Sequence, residues 1–155
     1  MKKLLSIVCA VCMLGLLVAC GTSAKEYNLS DVLASLDAAN PLADARELTS
    51  DDLTLLMSVP ETDIAEFAGK ISGDATTGAM NVVVMAAEGK ASSVKTALDT
   101  YRTNQVAIYS AYDPTVAAIL EDGRVVAHGD YVVLVLGSSA DVYSAADTAI
   151  DEAFK

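Results

Sequence analysis

The run NVVVMAA at positions 81–87 constrains the fold of this chain more than any other stretch. It is β-branched and apolar, and it lacks the polar alternation of a half-exposed strand. Such runs are typical of strands that lie in the centre of a sheet. The sequence therefore predicts a sheet that contains this strand in its interior.

Three further strands are predicted around it. Residues 62–72, TDIAEFAGKIS, alternate between two sets of side chains in the manner of a strand. Residues 124–137, RVVAHGDYVVLVLG, contain two β-rich runs on either side of Gly129 and Asp130. Because that pair suits a two-residue turn, the segment is expected to form a hairpin.

Five helices are predicted from the spacing of apolar residues and from capping residues. They cover residues 30–39, 51–57, 92–112, 114–122 and 138–154. Ser30 and Asp113 are the expected caps of the first and fourth, and Pro114 suits the first position of a helix. The element order, α-α-β-β-α-α-β-β-α, predicts an α+β fold with residues 29–155 as a single domain. Its sheet is expected to be four-stranded and mostly antiparallel, with helices packed on one face.

The chain begins with an apolar segment that has the features of an export signal. Lys2 and Lys3 precede the stretch Leu4–Ala19, which is 16 residues long and apolar apart from Ser6. A membrane-spanning helix needs about 20 apolar residues, whereas a basic start, a shorter apolar run and a small final residue are typical of cleavable signals. Residues 1–19 are therefore predicted to be a signal peptide that is removed.

The last residues of this segment, Leu17-Val18-Ala19, are followed by Cys20, and the four positions resemble the lipobox of bacterial lipoproteins. The resemblance implies cleavage between Ala19 and Cys20 and attachment of a diacylglyceryl group to the thiol of Cys20. Two acyl chains give stable attachment, so the protein is expected to be lipid-anchored at the extracytoplasmic face of the cell membrane. Residues 20–28 would then be the lipidated cysteine and a short linker. The alternatives are an ordinary secretory signal with an incidental cysteine and an uncleaved anchor.

Removal of the signal changes the thiol content and the charge of the remaining chain. Cys9 and Cys12 leave with it, so the exported domain has no disulfide and must be held together by its core. With Lys2 and Lys3 also removed, eight basic residues face 21 acidic ones, and the formal net charge is −13. A surface of that charge repels nucleic acid and anionic lipid headgroups. Attachment to the membrane is therefore assigned to the lipid, and nucleic acid is not expected as a partner.

Three stretches of the chain carry a likeness to a known family. They are LTLLMSVPETDIAEF, VKTALDTYRTNQVAIYSAYDP and VVAHGDYVVLVLGSSAD, and the third contains Gly129-x-Tyr131. Together they resemble domain-of-unknown-function family 4358, whose members are small lipoproteins of Gram-positive, mainly anaerobic bacteria. The likeness covers Ser50–Phe154, with Met57-Ser58 standing where family members often carry tyrosine and glycine. It implies a fold and a location, and none of its motifs is catalytic.

His128 is the only histidine of the chain and the first candidate for catalysis or metal binding. A general base needs an orienting carboxylate and a nucleophile near it, and Asp130, the nearest carboxylate, is expected in the turn. With no cysteine in the domain, a zinc site would have to use carboxylates. His128 is therefore interpreted as a solvated side chain at the end of a strand. No catalytic residue, metal ligand or cofactor is assigned.

A stripe of aromatic residues on the longest predicted helix is the candidate binding surface. Tyr101, Tyr109 and Tyr112 follow helical spacing, and Arg102 beside them could pair with a carboxylate of a ligand. The competing interpretation places the tyrosines in the core and Arg102 in a surface ion pair. We hypothesise a non-catalytic binding module for a protein or a small ligand, which requires an exposed apolar or aromatic patch. A cell-envelope enzyme or enzyme inhibitor and a structural surface protein are the alternatives.

Overall fold

The computed structural model describes residues 25–155. The strands are β1 Arg46–Glu47, β2 Ile64–Ile71, β3 Met80–Ala86, β4 Arg124–His128 and β5 Tyr131–Leu136. The helices are α1 Leu29–Ala39, α2 Ala91–Ser110, α3 Pro114–Glu121 and α4 Val142–Ala153. A π-helical turn, Asp52–Leu56, and a 3₁₀ turn, Glu61–Asp63, connect β1 to β2. The strands form a single sheet in the order β1-β2-β3-β5-β4.

The α+β class and the antiparallel sheet are confirmed, but the sheet has five strands where the sequence predicted four. The additional strand, β1, has two residues, and it pairs with the end of β2 through Arg46–Ile71 and Glu47–Lys70. A two-residue strand is too short for an alternating pattern to show in the sequence. Each of the four strand pairings is antiparallel, so the sheet is fully rather than mostly antiparallel.

The run at 81–87 forms the predicted central strand. It corresponds to β3, which lies between β2 and β5. The predicted hairpin is also confirmed, since His128 pairs with Tyr131 across the turn. Gly129 takes a positive φ of 58°, the backbone conformation that tight hairpin turns require.

Helices cover both faces of the sheet, so the prediction of helices on one face is wrong. Val82 and Val84 of β3 point into one cluster, together with Leu98 of α2 and Leu120 of α3. Val83 points to the other face and packs in a cluster with apolar residues of α1 and α4. A strand without polar alternation is apolar on both sides, and each side needs its own cover.

The two ends of the sheet are distinct, and α2 is longer than the strand beneath it. At one end, named here the hairpin end, the N–H of Ala86 donates to the carbonyl of Asp130 in the β4–β5 turn at 2.8 Å. At the other, the far end, Met80 pairs with Leu136. α2 has 20 residues and spans about 30 Å, whereas the seven residues of β3 span about 23 Å. α2 is therefore the longer element, and its last turn lies beside the β2–β3 loop, where the hydroxyl of Tyr109 is hydrogen-bonded to the carbonyl of Ala75.

Capping residues differ from the prediction at α1 and agree with it at α3. Asn28, rather than Ser30, caps α1, because its Oδ1 accepts from the N–H groups of Ser30 at 2.9 Å and Asp31 at 3.2 Å. Asp113 caps α3 as expected, with Pro114 in the first turn. α4 begins later than predicted, at Val142 rather than 138.

The helix predicted at 51–57 is the π-helical turn, and Asp52 joins it to β1. The carboxylate of Asp52 accepts two hydrogen bonds from the guanidinium of Arg46, at 2.7 and 2.9 Å. It accepts two more, from the N–H and the hydroxyl of Thr49, both at 2.8 Å. These hydrogen bonds, chiefly those from Arg46, hold the pKa of Asp52 far below its usual value.

Asp52→Asn is expected to make the stability of the protein less sensitive to acid. Because the native pKa is lowered, the contribution of Asp52 is fully present above its unfolded pKa of about 3.9 and is lost progressively as the pH falls from there through its far lower folded pKa. In urea unfolding, the variant should be about 1 to 2 kcal/mol less stable at neutral pH, and the difference from the wild type should begin to shrink below about pH 4 and continue to shrink as the pH falls further. Asp51→Asn, at the exposed neighbouring position, should keep the acid response of the wild type. A difference between Asp52→Asn and wild type that stays constant with pH would contradict the prediction.

Candidate functional site

The four residues of the predicted stripe do not form one surface. Tyr101 lies in the core with 6% of its surface exposed, and burial raises the pKa of its phenol to about 12. Arg102 lies between α2 and α3. Its guanidinium donates to the carboxylate of Asp99 at 3.0 and 3.1 Å and to the carbonyl of Glu121 at 2.7 Å. Both side chains are therefore engaged within the fold.

Tyr109 and Tyr112 lie at the far end of the sheet, in a groove between the end of α2 and the β2–β3 loop. The groove has a volume of about 460 Å³. Its lining residues are Ala75, Thr76, Gln105, Ile108, Tyr109, Tyr112 and Asp113. Ile108 has 51% of its surface exposed and Tyr112 has 84%. This surface is named the far-end groove, and it contains the exposed part of the predicted stripe.

Tyr109 forms a wall of the far-end groove and is held rigidly. Its hydroxyl donates to the carbonyl of Ala75 at 2.6 Å, which joins the β2–β3 loop to α2. Its ring lies against Gly78, where φ is +64° and an added Cβ would come within 2.9 Å of the ring. Glycine is the residue that tolerates both that backbone conformation and so close an approach. Burial raises the pKa of Tyr109, so the phenol keeps the proton that it donates.

Two aspartates flank the far-end groove, and none of its lining residues is a lysine or an arginine. Asp113 uses Oδ1 to accept from the N–H groups of Thr115 and Val116. Asp74, in the β2–β3 loop, uses Oδ1 to accept from the hydroxyl and the N–H of Thr76, and these bonds lower its pKa. Each carboxylate is thus oriented through one oxygen, and the other oxygen forms no hydrogen bond within residues 25–155.

The exposed large apolar side chains of residues 25–155 belong to two segments, the π-helical turn and the end of α2. They are Leu55, Leu56, Ile108 and Tyr112. Leu55 and Leu56 belong to the π-helical turn, whose Leu53 packs in the same cluster as α2. Helical spacing places Ile108 with the buried residues of α2, but half of its surface is exposed. Ile108 and Tyr112 lie together in the far-end groove, and exposed apolar side chains that lie together are typical of an interaction surface.

A second concavity, of about 280 Å³, lies at the hairpin end beside an aromatic cluster. Tyr27 packs edge-on against Tyr131 and Phe154, with ring centroids 5.3 and 4.9 Å apart. His128 stacks on Phe154 at 4.6 Å, and its Nε2 is buried without a hydrogen-bond partner in the described part of the chain. The interpretation of His128 as a solvated side chain is therefore wrong, since it packs in this cluster.

Ala19 and Cys20, the predicted cleavage and lipidation residues, lie outside the described residues, as does the whole predicted signal peptide, 1–19. Across residues 25–155, no helix combines the length and the apolar character that crossing a bilayer requires. Within the same range, no three His, Cys, Asp or Glu side chains come together as candidate metal ligands.

The fold and the groove define a class of protein, an α+β domain in which helices enclose both faces of an antiparallel sheet and leave an exposed groove at one end. A family model described as a domain of unknown function, DUF4358, matches residues 39–137. Since this match covers more than half of the chain, the protein belongs to the DUF4358 family, as the resemblance predicted. No curated protein and no solved structure matches the chain.

The matched range differs from the stretch Ser50–Phe154 on which the resemblance was based. It begins earlier, at the end of α1, and it ends before α4. The whole sheet and the far-end groove lie inside it. The groove is therefore built within the part of the chain that defines the family, whereas α4 and nearly all of α1 lie outside that part.

Proposed function

We propose that this protein is a lipoprotein anchored at the extracytoplasmic face of the cell membrane and that its domain is a non-catalytic binding module. A diacylglyceryl group on Cys20 provides the attachment, and a protein or a small ligand binds to the exposed surface of the domain. One observation carries the proposal: the point at which the chain enters the domain and the exposed groove lie at opposite ends of the sheet.

The chain enters the domain at the hairpin end. The N–H of Tyr27 donates to the hydroxyl of Tyr131, the first residue of β5, at 3.1 Å. The hydroxyl of Tyr27 donates to the carbonyl of Phe154 at 3.0 Å. Residues 20–24, which precede the described chain, can span at most about 18 Å when fully extended. A lipid on Cys20 would therefore keep the hairpin end close to the bilayer.

The far-end groove would then face away from the membrane. The length of β3, about 23 Å, separates the two ends of the sheet, and the groove lies beside the β2–β3 loop at the far end. Residues 25–155 carry the whole net charge of −13. Anionic headgroups therefore repel the domain and favour an orientation in which it extends away from the bilayer. A groove displayed in this way is accessible to partners outside the membrane, as a binding module requires.

Cys20→Ala is expected to move the protein out of the membrane fraction or to leave it as an unprocessed precursor, because the thiol that accepts the lipid is missing. Cys12→Ala removes a thiol from the same apolar segment and should leave attachment and processing unchanged. The measurements are fractionation of cells by centrifugation and mass spectrometry of the purified native protein, which should begin at a modified Cys20. Normal processing and membrane attachment of the Cys20→Ala variant would contradict the proposal.

A further inference from the structure

We propose that the far-end groove binds a positively charged polypeptide segment, which inserts an aliphatic or aromatic side chain between α2 and the β2–β3 loop. The inference deepens the proposed function and rests on it for the direction in which the groove faces. It adds the chemistry of the partner.

The groove offers a preformed contact for an apolar side chain. Ile108, in the last turn of α2, and Tyr112, two residues past its end, line the same groove, and both are largely exposed. Tyr109 beside them is held by its hydrogen bond to the carbonyl of Ala75. Aromatic side chains supply a large contact area, and a rigid one loses little conformational freedom when a partner binds. An apolar anchor of the partner therefore finds a wall that is already in place.

The groove is elongated rather than enclosed. Gln105 and Tyr112 both line it, so it runs from the second-last turn of α2 to two residues past the end of the helix. Ile108 and Tyr112 remain open to solvent along this length. Small-molecule sites usually bury most of the surface of their ligand. An open strip of this kind is better suited to a length of polypeptide that lies along the helix.

The charges around the groove select a cationic segment. Asp74 and Asp113 flank it, and each keeps one carboxylate oxygen without a hydrogen bond within residues 25–155. Arg102, the nearest basic residue on α2, is already bound to Asp99 and to the carbonyl of Glu121. A lysine or arginine of the partner can pair with the free carboxylate oxygens or lie over the exposed ring of Tyr112.

The same charges disfavour three other partners for the groove: a second copy of this chain, anionic lipid headgroups and nucleic acid. In a symmetric pair of copies of this chain, the aspartates of the two grooves would face one another. Anionic lipid headgroups and nucleic acid carry the charge that a domain with a net charge of −13 repels. A basic polypeptide is the occupant in which both the apolar contact and the charge are complementary.

The test uses the full-length protein, purified in a neutral detergent, and a short labelled peptide with one leucine flanked on both sides by lysines. Binding is followed by fluorescence anisotropy at low ionic strength. Tyr112→Ser removes the apolar contact, and Asp113→Asn removes a charge but keeps a side chain that can cap α3. Leu55→Ser, with 79% of the native side chain exposed outside the groove, is the matched control. Circular dichroism checks that each variant is folded.

We expect Tyr112→Ser and Asp113→Asn each to raise Kd about tenfold, and Leu55→Ser to leave it within about twofold. A peptide with serine in place of leucine should bind about tenfold more weakly, and one with glutamates in place of lysines should not bind. Absence of binding by the leucine–lysine peptide would overturn the proposal. The proposal would also be overturned if the serine peptide bound as tightly as the leucine peptide, or if Leu55→Ser weakened binding as much as Tyr112→Ser does. Either result would mean that the peptide is held only by diffuse attraction to an acidic surface. A dimer that Tyr112→Ser dissociates in ultracentrifugation would assign the groove to a second copy and would also overturn it.

Failure of this inference can be distinguished from failure of the proposed lipid anchor. The anisotropy measurement does not depend on membrane attachment, so a protein that proves not to be lipidated can still bind the peptide through its groove. Conversely, a protein that is lipidated on Cys20 and does not bind the peptide retains its anchor and loses the partner assigned here.

Discussion

Leu53→Ala is expected to lower the free energy of unfolding by about 3 kcal/mol. The side chain of Leu53 is fully buried, with 0% of its surface exposed, although it belongs to a turn on the surface of the domain. It packs with Met57 and Val59 in the cluster that α2 covers. The turn is bound to β1 through Asp52 and Arg46, so it cannot readily collapse into the cavity that the alanine leaves. The measurement is the urea midpoint at an unchanged m-value.

Leu55→Ala is the matched control for this prediction. It makes the same chemical change two positions further along the same turn, where 79% of the side chain is exposed. Its effect on the free energy of unfolding should stay within about 0.5 kcal/mol. Equal losses in the two variants would mean that the turn does not pack against the sheet in the way described.

Asn81→Ala is expected to destabilise the protein by about 3 kcal/mol, although it replaces a polar residue in the core by an apolar one. Asn81 is fully buried on β3, and its Oδ1 accepts from the side-chain amide of Asn40 at 2.9 Å. Its Nδ2 donates to the carboxylate of Asp37 at 2.8 Å and to the carbonyl of Asn40 at 3.0 Å. Asn40 is itself fully buried and is the residue at which α1 ends. The alanine would remove a hydrogen-bond partner from the buried side chain and carbonyl of Asn40 and from the half-buried carboxylate of Asp37.

A double-mutant cycle separates the interaction from the loss of either side chain alone. Because Asn40 and Asn81 share hydrogen bonds, Asn40→Ala and Asn81→Ala should together cost at least about 1 kcal/mol less than the sum of their separate effects. Asn104→Ala, at an exposed position of α2, should change stability by no more than about 0.5 kcal/mol. Additive losses in the cycle would contradict the network.

The elements that the sequence predicted correctly are those determined by a few adjacent residues. The apolar run at 81–87 is the central strand, Gly129 and Asp130 form the hairpin turn, and Asp113 and Pro114 begin α3. In each case the signal is local, either the sequence of one strand or the conformations allowed to one or two residues. Such signals do not depend on what lies across the sheet.

The features that the sequence did not predict depend on residues far apart in the chain. β1 exists because two residues pair with the end of β2, and its length leaves no pattern to detect. The Asn40–Asn81 network joins positions 41 residues apart, and neither asparagine shows a partner in its own neighbourhood. The cover on the second face of the sheet was foreseeable in part, because a strand that is apolar on both sides needs helices on both sides.

The sequence by itself determined that aromatic residues follow helical spacing along α2, that the chain is strongly acidic and that it belongs to its family. The tertiary structure alone decided which tyrosines are available to a partner. Tyr101 lies over the sheet and is buried, whereas Tyr112 lies past the end of α2 and is exposed. The physical reason is that helical spacing fixes the direction in which a side chain leaves the helix, whereas the elements that cover it are set by the packing of distant parts of the chain: Tyr101 packs in the cluster between α2 and the sheet, and Tyr112 lies beside the β2–β3 loop.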